Sequence, residues 1–163
     1  MAFTRPVVVM GVSGSGKTTV GAALAEAIGV PFEDGDSLHP AANVAKMSAG
    51  IPLSDEDRGP WLDTIGRVLA AGPVVVACSA LKRVYRDRLR AAAPDLELVY
   101  LEVDRVTLLE RMRHRAHFMP PSLLNSQLAT LEVPTDDEHP LIVDAAVPLA
   151  NLIASLQERI LHV

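Results

Sequence analysis

The chain has 163 residues, 49% of them hydrophobic, enough for one domain that buries about 70% of the surface its unfolded chain exposes. Its formal charge of −5 argues against a nucleic-acid-binding surface, because phosphate backbones demand clustered Lys and Arg. A single cysteine, Cys78, excludes an internal disulfide and a cysteine-based zinc site and fits a reducing cytoplasm.

Val7-Val8-Val9-Met10 is a short apolar run with the character of a strand, and Thr19 to Ile28 is alanine-rich with Leu24 and Ile28 on one face, which predicts a helix. Between them, Gly11-Val12-Ser13-Gly14-Ser15-Gly16-Lys17-Thr18 fits the pattern of glycine, four residues, then Gly-Lys-Ser/Thr. Strand, loop and helix in that order make a phosphate cradle. Glycines let the backbone approach an anion, and the helix start supplies N–H groups and a positive dipole end. Lys17 then reaches the β and γ phosphates of a bound triphosphate, and Thr18 offers its hydroxyl to Mg²⁺. The nucleotide-binding set from this stretch is Gly14, Ser15, Gly16, Lys17, Thr18 and Thr19. A merely flexible glycine-serine turn would not account for the two flanking elements.

Gly29 ends the helix, and Val30 to Asp36 reads as a short strand delivering acids to its carboxyl end, where ligands bind in an open α/β sheet. On an extended segment Asp34 and Asp36 share a face. One of the two serves the Mg²⁺ shell through water, and the other orients an attacking hydroxyl and accepts its proton. The plain alternative is a solvated acidic turn around Gly35.

Ser37 to Met47 predicts a helix entered through Pro40. Ser54 is an N-cap with Asp57 three residues on, near capping-box spacing, and the helix to about Ala71 carries an apolar stripe through Trp61, Leu62, Ile65, Val68 and Leu69. Trp61 is a core residue on this reading. Arg58 lies in the first turn, where the dipole prefers acids, so it serves either an anionic ligand or Asp55 or Glu56.

Pro73 to Cys78 has the nearly continuous apolar run of a central parallel strand, and Lys82 or Arg83 after it could bind substrate or phosphate, or simply line a helix surface. Tyr85 to Ala93 predicts a basic helix, Leu96 to Val103 a fourth strand, and Val106 to Arg113 a helix capped by Asp104. Arg111, Arg113 and Arg115 cluster near its end, where their alternative role is to complement the dipole. Residues 114–121 contain two prolines and suit a lid that closes over a nucleotide and brings an arginine to the transferring phosphoryl group. A short helix capped by Ser122, a fifth strand Leu141 to Asp144 and a closing amphipathic helix Pro148 to Leu161 complete the chain.

Five strands alternating with helices, with polar groups at the strand ends, predict an α/β fold: a five-stranded parallel sheet with helices on both faces and a short lid, as one domain over residues 1–163. No apolar run approaches the ~20 residues needed to cross a bilayer, so a soluble cytoplasmic protein is expected, without nucleic-acid or membrane partners.

Beyond the loop, the chain carries Asp34-Gly35-Asp36 with Leu38-His39-Pro40, Asn43 with Lys46-Met47, Gly50-Ile51-Pro52-Leu53, Asp55-Glu56-Asp57-Arg58, Ala77-Cys78-Ser79-Ala80-Leu81-Lys82, Tyr85-Arg86-Asp87, and His117-Phe118-Met119 with Gln127. In these it resembles the gluconate kinases, small P-loop kinases related in fold to shikimate and nucleoside monophosphate kinases. The resemblance implies the P-loop NTPase fold and transfer of the γ-phosphoryl of ATP to the 6-hydroxyl of D-gluconate. It implies Lys17, Asp36 and Arg115 in catalysis, Arg111 at the nucleotide, and Asp36, His39, Arg58, Lys82, His117 and Gln127 at the acceptor. It also suggests a homodimer. Two departures from the family pattern stand out: Gly59 where a large residue is usual, which predicts looser packing, and a lid reading Arg115-Ala116-His117-Phe118, one residue short and without the usual glycine. The residues by themselves leave open a kinase for another small acceptor, such as shikimate or another sugar acid, and a nucleotide-binding module without turnover.

Overall fold

The computed structural model describes residues 3–12, 14–113 and 121–161. Five strands form one parallel sheet: β1 (Val7–Met10), β2 (Phe32–Asp34), β3 (Val75–Ala77), β4 (Glu97–Glu102) and β5 (Leu141–Asp144), in the spatial order β2-β3-β1-β4-β5. β1 lies at the centre, with Val8 in register with Val76 on one side and Leu98 on the other.

Seven helices accompany the sheet among the described residues: α1 (Lys17–Ile28), α2 (Ala41–Ser48), α3 (Asp55–Ala70), α4 (Arg83–Ala92), α5 (Arg105–Arg113), α6 (Pro121–Thr130) and α7 (Leu149–Leu161). Alternation along β1 divides the core. Val8 and Met10 pack with Trp61, Leu62, Ile65, Tyr85 and Leu89 of α3 and α4, whereas Val7 and Val9 pack with Leu24 of α1 and Leu152, Leu156 and Ile160 of α7. Successive strand side chains point to opposite faces, so a strand apolar at every position needs helices on both. A third cluster, Val12, Leu81, Leu108 and Leu124, ties the phosphate loop to α5 and α6.

From β1 the chain fills one side of the sheet with β2 and β3, then crosses to place β4 and β5 on the other. This reversal opens a crevice at the strand carboxyl ends, the usual ligand site of such sheets. No helix among the described residues is long and apolar enough to span a membrane.

Most elements fall where the sequence predicts them, and β1 and β5 match it end to end. β2 does not. It stops at Asp34, and Gly35–Leu38 form a 3-10 turn with the Asp34 carboxylate accepting from the Asp36 N–H at 3.0 Å. Asp34 and Asp36 are therefore not alternate residues on one face of an extended strand; they lie on either side of a tight turn. A smaller difference is at α6, which begins at Pro121 ahead of the expected cap Ser122, in keeping with proline at a first helical position.

Gly59 does not leave loose packing. It is buried, and a Cβ added there would meet the Arg88 guanidinium at 3.2 Å, held in place by Asp63 at 2.8 and 2.9 Å. The arginine covers the space a larger side chain would take. The expected lid, with Arg115, Ala116 and His117, lies outside the described residues except for Pro121.

Candidate active site

The phosphate loop is shaped by glycines where sequence places them. Gly14 and Gly16 have φ of +84° and +94°, a region that costs other L-residues about 1–2 kcal/mol. Among the described residues no side chain caps α1 at its N-cap Gly16, so its first-turn N–H groups suit an anion. The Ser15 hydroxyl is buried and has no hydrogen-bond partner among the described residues, and the Lys17 ammonium folds back to donate to the Val12 carbonyl at 3.3 Å. An uncapped helix start, an unsatisfied hydroxyl and a nearby ammonium fit a phosphate chain.

Beside the loop is a cavity of about 620 Å³, lined by Gly14, Gly16, Thr19, Arg111, Ala145 and Val147 among others. Arg111 forms one wall. Its guanidinium donates to the Gly14 and Ser15 carbonyls at 3.1 and 3.2 Å and to the Ala145 carbonyl at 2.7 Å. It therefore joins α5, the phosphate loop and the segment after β5, a tertiary role that dipole complementarity alone does not describe.

The acidic turn is fixed from below. A Cβ on Gly35 would lie 2.5 Å from the Ala77 carbonyl, so only glycine lets the turn press against the end of β3. The Gly35 carbonyl accepts from Trp61 Nε1 at 2.8 Å, and Trp61 is 1% exposed, the core residue its stripe predicts. Cys78 lies beneath: burial foremost, and then the negative charge of Asp36, push its thiol up to about 12, and Lys17 and Asp34 also act on it. The phosphate-loop lysine and both acids thus lie within electrostatic reach of Cys78, which is itself an inert thiol.

Asp36 also acts on His39, whose ring stacks on Trp61 at 4.1 Å. Burial, the largest influence, and the positive charge of Arg58 hold His39 below its ordinary value against the opposing pull of Asp36. Arg58 in turn donates to the Leu53 carbonyl at 2.7 Å and the Tyr85 hydroxyl at 3.2 Å. It bonds directly to neither acid of its own turn that the sequence offers as partners. Tyr85 hydroxyl donates to Asp55, and Lys82 Nζ is 3.1 Å from the same carboxylate. Both cations lie over the Tyr85 ring, at 5.5 and 5.6 Å from its centroid. Two positive charges from the starts of α3 and α4 therefore meet around one phenol.

Of the alternatives Lys82 and Arg83, the second is committed elsewhere: its guanidinium binds Asp137 and Thr135. Gln127 lies on α6, half-buried. Thr18 is exposed at the loop, and its hydroxyl and the Asp34 carboxylate are oxygen donors of the kind a hard cation prefers; among the described residues no three His, Cys, Asp or Glu groups could hold a metal by themselves. Sequence reasoning missed Asn43 and Tyr85 as parts of this site. Asn43 is 3% exposed, a burial that the sequence does not announce.

The shikimate kinase family model matches residues 13–152. A gluconokinase of Gluconobacter oxydans is 54% identical over 82% of this chain and 79% of its own length. The chain belongs to the gluconokinase family. The thermosensitive gluconokinase of Escherichia coli is 43% identical over 96% of this chain and 87% of its own. The crystal structure of a gluconokinase from Sinorhizobium meliloti superposes with a TM-score of 0.87 at 54% identity, covering 97% of this chain and 96% of that one. The chain is thus an ATP-dependent kinase with the P-loop fold, as its phosphate loop predicts.

Proposed function

We propose that the enzyme transfers the γ-phosphoryl of ATP to the 6-hydroxyl of D-gluconate, and that the residues around the acidic turn bind that acceptor. The observation that carries this reading is the pairing of Arg58 and Lys82 around Tyr85, one electrostatic step from His39 and Asp36. An open-chain polyol acid needs cations for its carboxylate and hydrogen-bonding groups along its hydroxyls. The paired cations supply the first, and His39, His117 and Gln127 supply the second.

Asp36 orients the 6-hydroxyl and accepts its proton as the new oxygen–phosphorus bond forms and the γ-phosphorus bond to the bridging oxygen of ADP breaks. Lys17 and the uncapped start of α1 hold the β and γ phosphates, with Ser15, Thr19 and Arg111 at the loop and the adjoining cavity. Thr18 and Asp34 would hold Mg²⁺, which when bound neutralises charge on the phosphate oxygens. Arg115, in the lid of this single domain, is assigned to the transferred phosphoryl. Alignment of hydroxyl and phosphorus can contribute on the order of 7–11 kcal/mol to such a reaction, and fixed charges contribute most of the rest.

The test is ADP release measured with ATP, Mg²⁺ and a panel of D-gluconate, other aldonic acids, shikimate and nucleoside monophosphates. Turnover with D-gluconate in preference to the others is expected, and Asp36→Asn should lower kcat by at least 100-fold with ATP affinity retained. Preference for another acceptor would overturn the substrate, and unchanged turnover in Asp36→Asn would overturn the role of Asp36.

A further inference from the structure

The buried amide of Asn43 has one nitrogen and two neighbours. Nδ2 is 2.9 Å from the Asp57 carbonyl and 3.2 Å from His39 Nδ1. A carbonyl only accepts, so the amide must present its NH₂ there; the flipped orientation would set two oxygens against each other. Of the two amide hydrogens, one goes to Asp57 and the other points at His39. Nδ1 of His39 must then carry a lone pair, and the ring proton sits on Nε2.

The ring has little freedom to choose otherwise. Its face is stacked on Trp61 with only 14° between the planes, and Trp61 is itself pinned by the Gly35 carbonyl. His39 precedes Pro40, which restricts its backbone to the extended region it occupies, at φ −63° and ψ 137°. The charged groups that act on it are Asp36 from its own turn and Arg58 from α3, while α2 contributes only the neutral Asn43. Protonation would put an N–H on Nδ1 against the Asn43 N–H.

We propose that Asn43 is a positioning residue that locks His39 as the neutral Nε2–H tautomer, so that the acceptor meets a fixed hydrogen-bond donor beside Asp36. This rests on the acceptor site proposed above. Without that lock, a histidine next to Asp36 could take a second proton, compete for the carboxylate that must receive the hydroxyl proton, and offer its Nε2 lone pair or N–H indifferently. The neutral side chain on α2 thereby sets both the charge and the polarity of the group facing the substrate.

The experiment is a ¹⁵N–¹H long-range correlation spectrum of the ¹⁵N-histidine-labelled protein, with the His39 signals assigned by their loss in His39→Gln. The expected result is a neutral Nε2–H pattern at pH 7 that persists below pH 6.5, the sign required by a lowered ionisation. In Asn43→Asp, of nearly the same shape, the carboxylate can accept only, so His39 should take a proton on Nδ1 and titrate at higher pH. The KM of the acceptor should rise by about 3- to 10-fold, as loss of one hydrogen bond implies, with the KM of ATP unchanged. An Nδ1–H tautomer in the wild-type protein, or a His39 titration unmoved in Asn43→Asp, would overturn the proposal. The spectrum needs no substrate, so failure of the gluconate assignment and failure of the tautomer lock are read separately.

Discussion

Single side chains at this site act through fixed geometry more than through reach. Trp61 shows how: one indole fills the core beneath the sheet end, donates to the Gly35 carbonyl at 2.8 Å and carries the face of His39. Trp61→Phe should keep most of the apolar burial and lose the donor, leaving a buried carbonyl unpaired at a cost of about 1–3 kcal/mol. Chemical denaturation would read that loss, and the acceptor KM should rise while the ATP affinity, which we propose rests on the loop and Arg111, holds. Equal weakening of both ligands would contradict this division of labour. Gly35→Ala is harsher. Its Cβ would meet a backbone oxygen at 2.5 Å that no side-chain adjustment can relieve, so the acidic turn must shift and turnover should fall at least tenfold.

At the scale of elements, α3 is started by a capping box in which Ser54 and Asp57 satisfy each other's backbone, and Asp57 also binds Lys46 of α2 at 2.8 Å. Hydrogen bonds from Lys46, foremost, and from the Ser54 backbone hold the Asp57 carboxyl down at about 2. Ser54→Ala should cost about 1 kcal/mol in the denaturation midpoint, and because the same turn delivers Arg58, the acceptor KM should also rise. The box was legible in the sequence, since cap residue and spacing are local properties. So were β1, β3 and the helices, whose apolar periods are likewise local. The acidic turn was not: Asp34-Gly35-Asp36 reads as a continued strand until the approach of Ala77 and the pull of Trp61, 26 residues away, fold it into a 3-10 turn. Asn43 and Tyr85 were unreadable as site residues for the same reason. Their partners Asp57, Arg58 and Asp55 lie 14 to 30 positions distant, and nothing in local spacing reports such pairings.

Across the whole molecule, one charge cluster joins the loop that follows β3 to the segment that follows α6. Glu138, from a short 3-10 turn at Asp136–Glu138 that the sequence did not reveal, receives Arg86 at 2.7 and 3.1 Å and Arg90 at 2.8 Å. Arg86 also donates to the carbonyl of Ala80, which has a φ of +43°, a strained value for a residue with a Cβ, two positions before Lys82. The Glu132 N–H donates to the Leu81 carbonyl at 2.7 Å, so the loop bearing Lys82 is held from both directions. Burial pushes the Glu138 carboxyl up, but Arg86, the Thr135 N–H and Arg90 together outweigh it and hold the group down at about 2, against an ordinary 4.5. A carboxyl lowered on folding stabilises the native state fully above its unfolded value, and that contribution disappears as pH falls from about 4.5 toward 2. Glu138→Gln takes the counter-charge from the buried Arg86 and leaves the half-buried Arg90 with Asp87 alone, and should cost roughly 3–5 kcal/mol at pH 7. The acid dependence should change with it: urea midpoints of the wild type decline between pH 5 and 3, whereas those of Glu138→Gln start lower and decline less. Parallel declines in the two proteins would show that other carboxylates, not this cluster, govern acid stability.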